Sequence, residues 1–248
     1  MHFLPSPNFN DRCPSAKVEH LILHYTGMQT ATEAIARLRD PAAQVSAHYV
    51  VDLDGVVIQL VEENKRAWHA GVSFWDGETD INSTSIGIEI VNPGHEFGYM
   101  PFPDAQIAAG VKLCQDILSR HPIPPHQVLA HSDIAPSRKM DPGELFPWAV
   151  LASNNIGLFP RPLTPSREER GSYFVHANET APCPLAGAGW GGGDIEMNLS
   201  NYGYNISNLP TAITAFQRHF RPENMTGEWD DECAARLAWL LKKKSEIH

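Results

Sequence analysis

Three short apolar runs, far apart in the chain, constrain its fold more than any other feature. In residues 20–25, Leu21, Leu23 and Tyr25 fall on one face of a strand and Ile22 and His24 on the other. Gly27 then breaks the run. In residues 85–92, Ile86, Ile88 and Ile90 share one face while Gly87, Glu89 and Val91 share the other. The third run, Val128-Leu129-Ala130, ends on His131, and a turn-rich segment returns Asp141 ten residues later. Two strands thus end on a histidine, and a third carries a carboxylate among isoleucines.

Helical patterns lie between these runs. Thr30-Ala31-Thr32-Glu33 has the capping-box form, so a helix should follow, with Ile35 and Leu38 inward, ending before Pro41. Ile107, Val111, Cys114 and Leu118 recur at helical spacing within 104–120, and 143–152 reads as a further short helix. Asp54-Gly55 between two apolar runs predicts a hairpin, because glycine accepts positive φ. Residues 1–17 are rich in Pro and Asn and read as a loop. Residues 62–84 read as irregular and carry Trp68, His69, Phe74 and Trp75, the kind of aromatic loop that lines a binding surface. The order strand, helix, hairpin, strand, helix, strand, helix predicts an α/β domain over 1–160, a mixed central sheet flanked by helices.

Residues 161–194 hold several prolines and Gly-rich Gly189-Trp190-Gly191-Gly192-Gly193, and read as a linker. Three helical patterns follow, near 195–202, 211–220 and 230–243, so 195–248 should form a small all-α domain. So short a domain needs a larger one to dock on.

The net charge of −10 excludes a protein built to hold a nucleic-acid backbone. Cys13, Cys114, Cys183 and Cys233 lack the close spacing of a zinc ribbon or redox motif and read as buried or incidental thiols. The N-terminus lacks a basic region followed by a long apolar one, and no run reaches the roughly eighteen apolar residues of a membrane span. The expectation is a cytoplasmic chain without a transmembrane segment; a trimmed export signal would place it at the cell envelope.

His24, His131 and Asp141 are two strand-end imidazoles and a carboxylate, a set that suits a catalytic Zn2+ with its fourth position kept for water. Structural histidines at strand ends are the alternative. Glu89 is either on an exposed strand face or a general base in a polar cleft. Lys139, two residues before Asp141, is either a solvated loop lysine or a cation close enough to stabilise an oxyanion.

Leu23-His24-Tyr25-Thr26, Ser46-Ala47-His48-Tyr49-Val50-Val51-Asp52, Ala67-Trp68-His69-Ala70-Gly71, Ser85-Ile86-Gly87-Ile88-Glu89 and His131-Ser132-Asp133-Ile134-Ala135-Pro136 with Lys139 and Asp141-Pro142-Gly143 occur in one order. Together they resemble the zinc-dependent N-acetylmuramoyl-L-alanine amidases of the type 2 amidase family, whose fold peptidoglycan recognition proteins and phage T7 lysozyme share. The resemblance spans about residues 18–160. It implies one Zn2+ per chain on His24, His131 and Asp141, with Glu89 and Lys139 catalytic. It implies a peptidoglycan or muropeptide substrate, cut between N-acetylmuramic acid and L-alanine. His69 and Trp68 are expected at the cleft edge near substrate, Arg66 against a stem-peptide carboxylate, and His48 in a structural place. The C-terminal part, through Tyr202-Gly203-Tyr204 and residues 212–220, resembles a peptidoglycan-binding helical module. Its Ala212, Ala215, Phe216, His219 and Phe220 read equally as plain helix core. Two rivals stand beside the amidase: a recognition protein that binds without cutting, and a zinc peptidase acting within the stem peptide. The absence of a His-Glu-x-x-His helix counts against the peptidase.

Overall fold

The structure, a computed structural model, describes residues 2–160 and 192–247. Its strands are β1 (His2–Phe3), β2 (Phe9–Asp11), β3 (His20–Tyr25), β4 (Tyr49–Val51), β5 (Val57–Gln59), β6 (Lys65–Ala67), β7 (Ser85–Ile90) and β8 (Val128–Ala130). The α-helices before residue 160 are α1 (Ala31–Arg39), α2 (Ile81–Thr84), α3 (Gly94–Phe97), α4 (Asp104–Arg120), α5 (His131–Ile134) and α6 (Trp148–Ser153). After residue 191 come α7 (Gly192–Tyr202), α8 (Leu209–Phe220) and α9 (Asp231–Ser245).

Six strands form one mixed sheet in the order β1-β5-β4-β7-β3-β8, with β2 and β6 in a separate antiparallel pair. β3 is parallel to β7 on one side and to β8 on the other, and only the β4–β5 hairpin runs antiparallel. The mixed α/β sheet expected from the apolar runs is therefore present. Leu21, Leu23, Ile86, Ile88 and Ile90 pack on one face against Ile107, Leu113, Cys114 and Ile117 of α4. Fully burying an aliphatic side chain of this kind contributes about 1.5–3 kcal/mol. Val111 and Leu118 lie at the margin of that core rather than inside it. Thr30 caps α1 by accepting the Glu33 N–H at 3.2 Å, as its capping-box form predicts.

Three local readings change. The N-terminal segment adds β1 beside β5 and β2 beside β6, edge pairings that depend on partners more than fifty residues away. Residues 62–84 contain β6 and the single turn α2. The helix expected over 143–152 begins only at Trp148, because Gly143 has φ +87° and Pro147 marks the first turn.

The three C-terminal helices occur where their periodicity places them. The linker expected over 161–194 falls mostly on 161–191, outside the described residues, and 192–194 already belong to α7. Ala212, Ala215, Phe216 and Phe220 are fully buried and share one core with Ile22, Trp75, Leu129 and Ile134. Tyr202-Gly203-Tyr204 wraps the buried Trp75, whose ring lies 5.8 Å from that of Tyr202 and 4.9 Å from that of Tyr204. Gly203 fits there because a Cβ would stand 2.6 Å from the indole. Among the described residues, Cys114 and Cys233 are buried thiols and Cys13 an exposed one, and no helix is long and apolar enough to cross a membrane.

Candidate active site

Because β3 is parallel to both neighbours, the ends of β7, β3 and β8 open on one edge of the sheet. In open α/β sheets this edge is where ligands bind. His24 is next to last in β3, Glu89 is its register partner in β7, and His131 is the first residue past β8. Asp141 is carried to the same point by the returning loop, whose Asp141 carbonyl accepts the Ser132 N–H at 3.0 Å.

The three residues converge tightly. His24 Nδ1 lies 2.9 Å from His131 Nδ1 and 3.1 Å from Asp141 Oδ2, and His131 Nδ1 lies 2.9 Å from the same oxygen. All three are buried. His131 Nε2–H donates to the Ala70 carbonyl at 3.0 Å, so in the neutral ring Nδ1 is a bare lone pair. Two such nitrogens and a carboxylate oxygen this close repel one another unless a cation sits among them. Tetrahedral Zn2+ with bonds of about 2.0–2.2 Å holds its ligand atoms roughly 3.3 Å apart, so the donor set and its spacing fit a metal ion.

Local electrostatics favour the same state. Burial first, and His131 second, lower His24 to about 4, leaving the ring neutral with its lone pair available. Burial alone would raise Asp141, but His131 and His24 outweigh it and hold the carboxyl well below the usual range.

His69 stands behind His24. Its Nδ1 is 3.0 Å from His24 Nε2 and its Nε2 is 3.1 Å from Ser85 Oγ. When His24 offers Nδ1 to a metal, Nε2–H donates to His69 Nδ1, and His69 Nε2–H donates to Ser85. Burial first, then His24, keeps His69 well below its ordinary value, as this neutral relay requires. Gly87 makes room for it, since a Cβ there would lie 2.4 Å from the His69 ring. Asn82 Oδ1 fixes the loop by accepting the N–H groups of His69 and Ala70 at 3.0 and 2.8 Å.

Glu89 lines a cleft of about 500 Å³ together with Trp68, His69, Lys139 and Asp141. Burial, reinforced by Asp141, raises its carboxyl well above the usual range, and Lys139 offsets part of this. Its Oε2 is buried and has no hydrogen-bond partner among the described residues. A half-buried, proton-avid carboxyl beside a candidate metal site is suited to proton transfer.

Of the other residues singled out in the sequence, Trp68 and His69 do line the cleft, His69 mainly as the support of His24. Arg66 does not line it. Its guanidinium bonds Asp80 Oδ1 at 2.7 Å, Ser83 Oγ at 3.1 Å and Asn10 Oδ1 at 3.2 Å. Arg37, on the last turn of α1, lines the cleft instead, and no side-chain partner holds it among the described residues. No local pattern distinguishes Arg37 in the sequence from any exposed helical arginine. His48 is buried under the sheet, its Nδ1 accepting the Gly87 N–H at 3.0 Å, which matches a structural place.

Comparisons with known proteins agree with this geometry. The profile of the N-acetylmuramoyl-L-alanine amidase family matches residues 14–144. N-acetylmuramoyl-L-alanine amidase AmiD of Escherichia coli K12 is 39% identical over 245 residues, covering 92% of this chain and 83% of that protein. 1,6-anhydro-N-acetylmuramyl-L-alanine amidase AmpD of Enterobacter cloacae is 42% identical over 105 residues, 42% of this chain and 54% of its own. Among solved structures, E. coli AmiD bound to anhydro-N-acetylmuramic acid-L-Ala-D-gamma-Glu-L-Lys superposes with TM-score 0.75 and 34% identity, over 95% of this chain and 98% of that one. AmpDh3 of Pseudomonas aeruginosa bound to anhydromuramic pentapeptide gives TM-score 0.77 and 33% identity, over 98% and 99%. Motif order, fold and the full-length relatives together establish that this chain belongs to the N-acetylmuramoyl-L-alanine amidase family.

Proposed function

We propose that this chain is a zinc amidase, with one Zn2+ per chain. It hydrolyses the amide between the lactyl group of N-acetylmuramic acid and the L-alanine of the stem peptide, in peptidoglycan or anhydro-muropeptides. The observation that carries this reading is the triangle of His24 Nδ1, His131 Nδ1 and Asp141 Oδ2 with Glu89 beside it. Substrate complexes of AmiD and AmpDh3, relatives that superpose over nearly the whole chain, support the muropeptide.

When bound, Zn2+ supplies Lewis acidity to the water and the scissile carbonyl. The chain does the rest. His24, His131 and Asp141 hold the ion, and His69 and the Ala70 carbonyl keep both imidazoles turned toward it. Glu89 takes a proton from the attacking water. The water oxygen bonds the carbonyl carbon, the C–N bond breaks, and Glu89 gives its proton to the departing L-alanine amine. The products are the lactyl carboxylate and a free peptide. Lys139, on the cleft wall, stabilises negative charge developing on the carbonyl oxygen, an effect on the order of 3 kcal/mol for one well-placed donor. Arg37 meets a carboxylate of the stem peptide.

The test is mass spectrometry of an anhydro-muramyl tripeptide incubated with zinc-loaded protein and with Glu89→Ala. Free tripeptide from the parent alone is the expected outcome. Binding without cleavage would make the chain a recognition protein, and a cut inside the peptide would make it a peptidase.

A further inference from the structure

Asp133 lies two residues past His131 and faces away from the cleft. It is fully buried, and its carboxylate accepts three hydrogen bonds. One comes from the Ala130 N–H to Oδ2 at 2.8 Å and closes the turn that presents His131. The other two come from the C-terminal helical segment. Tyr204 O–H donates to Oδ1 at 2.7 Å, and His219 Nδ1–H donates to Oδ2 at 2.6 Å. His219 is clamped between the rings of Trp148 and Phe220, each 3.8 Å away, so its Nδ1 has one direction to point. The neighbouring Arg218 reaches to 3.9 Å from Glu144, three residues past Asp141. The Ser132 N–H to Asp141 carbonyl bond ties the two loops to each other. One helix turn of α8 thus touches the loops bearing both His131 and Asp141.

A buried carboxylate is tolerated only when fully hydrogen-bonded. Without Tyr204 and His219, Asp133 would retain a single backbone donor and would turn toward water or pull the Ala130–His131 turn with it. We propose that Tyr204 and His219 are positioning residues for the metal site, acting through Asp133 on His131. The C-terminal helices are then an integral wall of the metal centre rather than only an appended binding module. This rests on the metal reading of His24, His131 and Asp141.

The experiment compares full-length parent, Tyr204→Phe, His219→Phe and His219→Asn. Phe preserves ring stacking at 219 and removes the donor; Asn restores a donor near the Nδ1 position. Ile213→Val, a buried α8 residue that makes no hydrogen bond to Asp133, controls for loosened packing. Zn2+ affinity is read by chelator competition, the ligand field by the visible spectrum of the Co2+-loaded protein, and folding by thermal melts. The expected result is roughly tenfold weaker Zn2+ binding and an altered Co2+ spectrum in Tyr204→Phe and His219→Phe. His219→Asn should recover most of the affinity, and Ile213→Val should keep it despite a lower Tm. Parent-like affinity in folded Tyr204→Phe would overturn the proposal even if His219→Phe does not fold. So would an equal loss in Ile213→Val. A parent that binds no Zn2+ overturns both this and the metal reading. A parent that binds Zn2+ but leaves the muramyl amide intact overturns only the amidase.

Discussion

His24 and Glu89 are register partners on adjacent parallel strands, β3 and β7. Parallel pairing points both side chains to the same face, so the imidazole proposed to hold the metal and the carboxyl proposed to accept the proton are neighbours by construction.

Replacing Glu89 by Gln should lower amide hydrolysis by about 10²–10⁴-fold. In the metal-free protein the same change should stabilise the fold at pH 8. The Glu89 carboxyl is raised in the folded state, so the unfolded chain releases its proton first. Stability therefore falls as pH climbs above the unfolded value of about 4.3 toward the folded one. Urea unfolding at pH 4 and pH 8 checks this: the gain of Glu89→Gln should appear at pH 8 and vanish at pH 4.

Gly87→Ala should act on the metal through His69. The added methyl meets the His69 ring at 2.4 Å, and His69 supports His24 Nε2. Zn2+ affinity should drop about 10–100-fold, with a stability loss of about 1–3 kcal/mol. Gly110→Ala on α4, where nothing lies closer than 3.9 Å, should leave the metal untouched and stabilise the helix by roughly 0.5–1 kcal/mol. Isothermal titration with Zn2+ and thermal melts separate the two.

Arg37→Ala should raise KM several-fold for a stem peptide with free carboxylates and leave kcat unchanged. An amidated peptide should not distinguish the variant from the parent. Arg66→Ala should leave KM alone and lower Tm, because Arg66 is committed to Asp80, Ser83 and Asn10. Steady-state kinetics on both substrates would reveal a reversed assignment at once.

Glu63 pins the end of α4 to the sheet by bonding Arg120, His121 and Tyr49. Burial would raise its carboxyl, but these three partners win and lower it from 4.5 to about 2. The stabilisation is present in full above the unfolded value and is lost as pH falls through about 2. Discounted for the exposure of Arg120, it amounts to on the order of 2 kcal/mol. Glu63→Gln should be destabilised by that amount at pH 7, with the gap narrowing below pH 4, as denaturant melts at the two pH values would report.

Much of this protein is local. The alternation of residues 20–25 and 85–90, the Asp54-Gly55 turn, the Thr30 cap and the period of α4 depend on neighbours in sequence, and each element stands where its pattern puts it. The motif order, through its resemblance to the amidase family, also points to His24, His131, Asp141 and Glu89 as a group, and the fold brings these four residues together at one end of the sheet. Other features required the folded chain. Arg66 and Arg37 are both basic residues in polar stretches, and only the long-range placement of Asp80 and of α1 decides which one is occupied and which faces the cleft. His69 looked like a cleft-edge residue; the parallel pairing of β3 with β7, and the missing Cβ at Gly87, put it behind His24. Asp133 reads in sequence as one letter of a motif, but the donors from Tyr204 and His219, 71 and 86 residues away, tie it to the C-terminal helices. Periodicity records which face of an element is apolar. It carries no record of which distant face will cover it, and that choice decides which polar groups are paired and which are left free for chemistry.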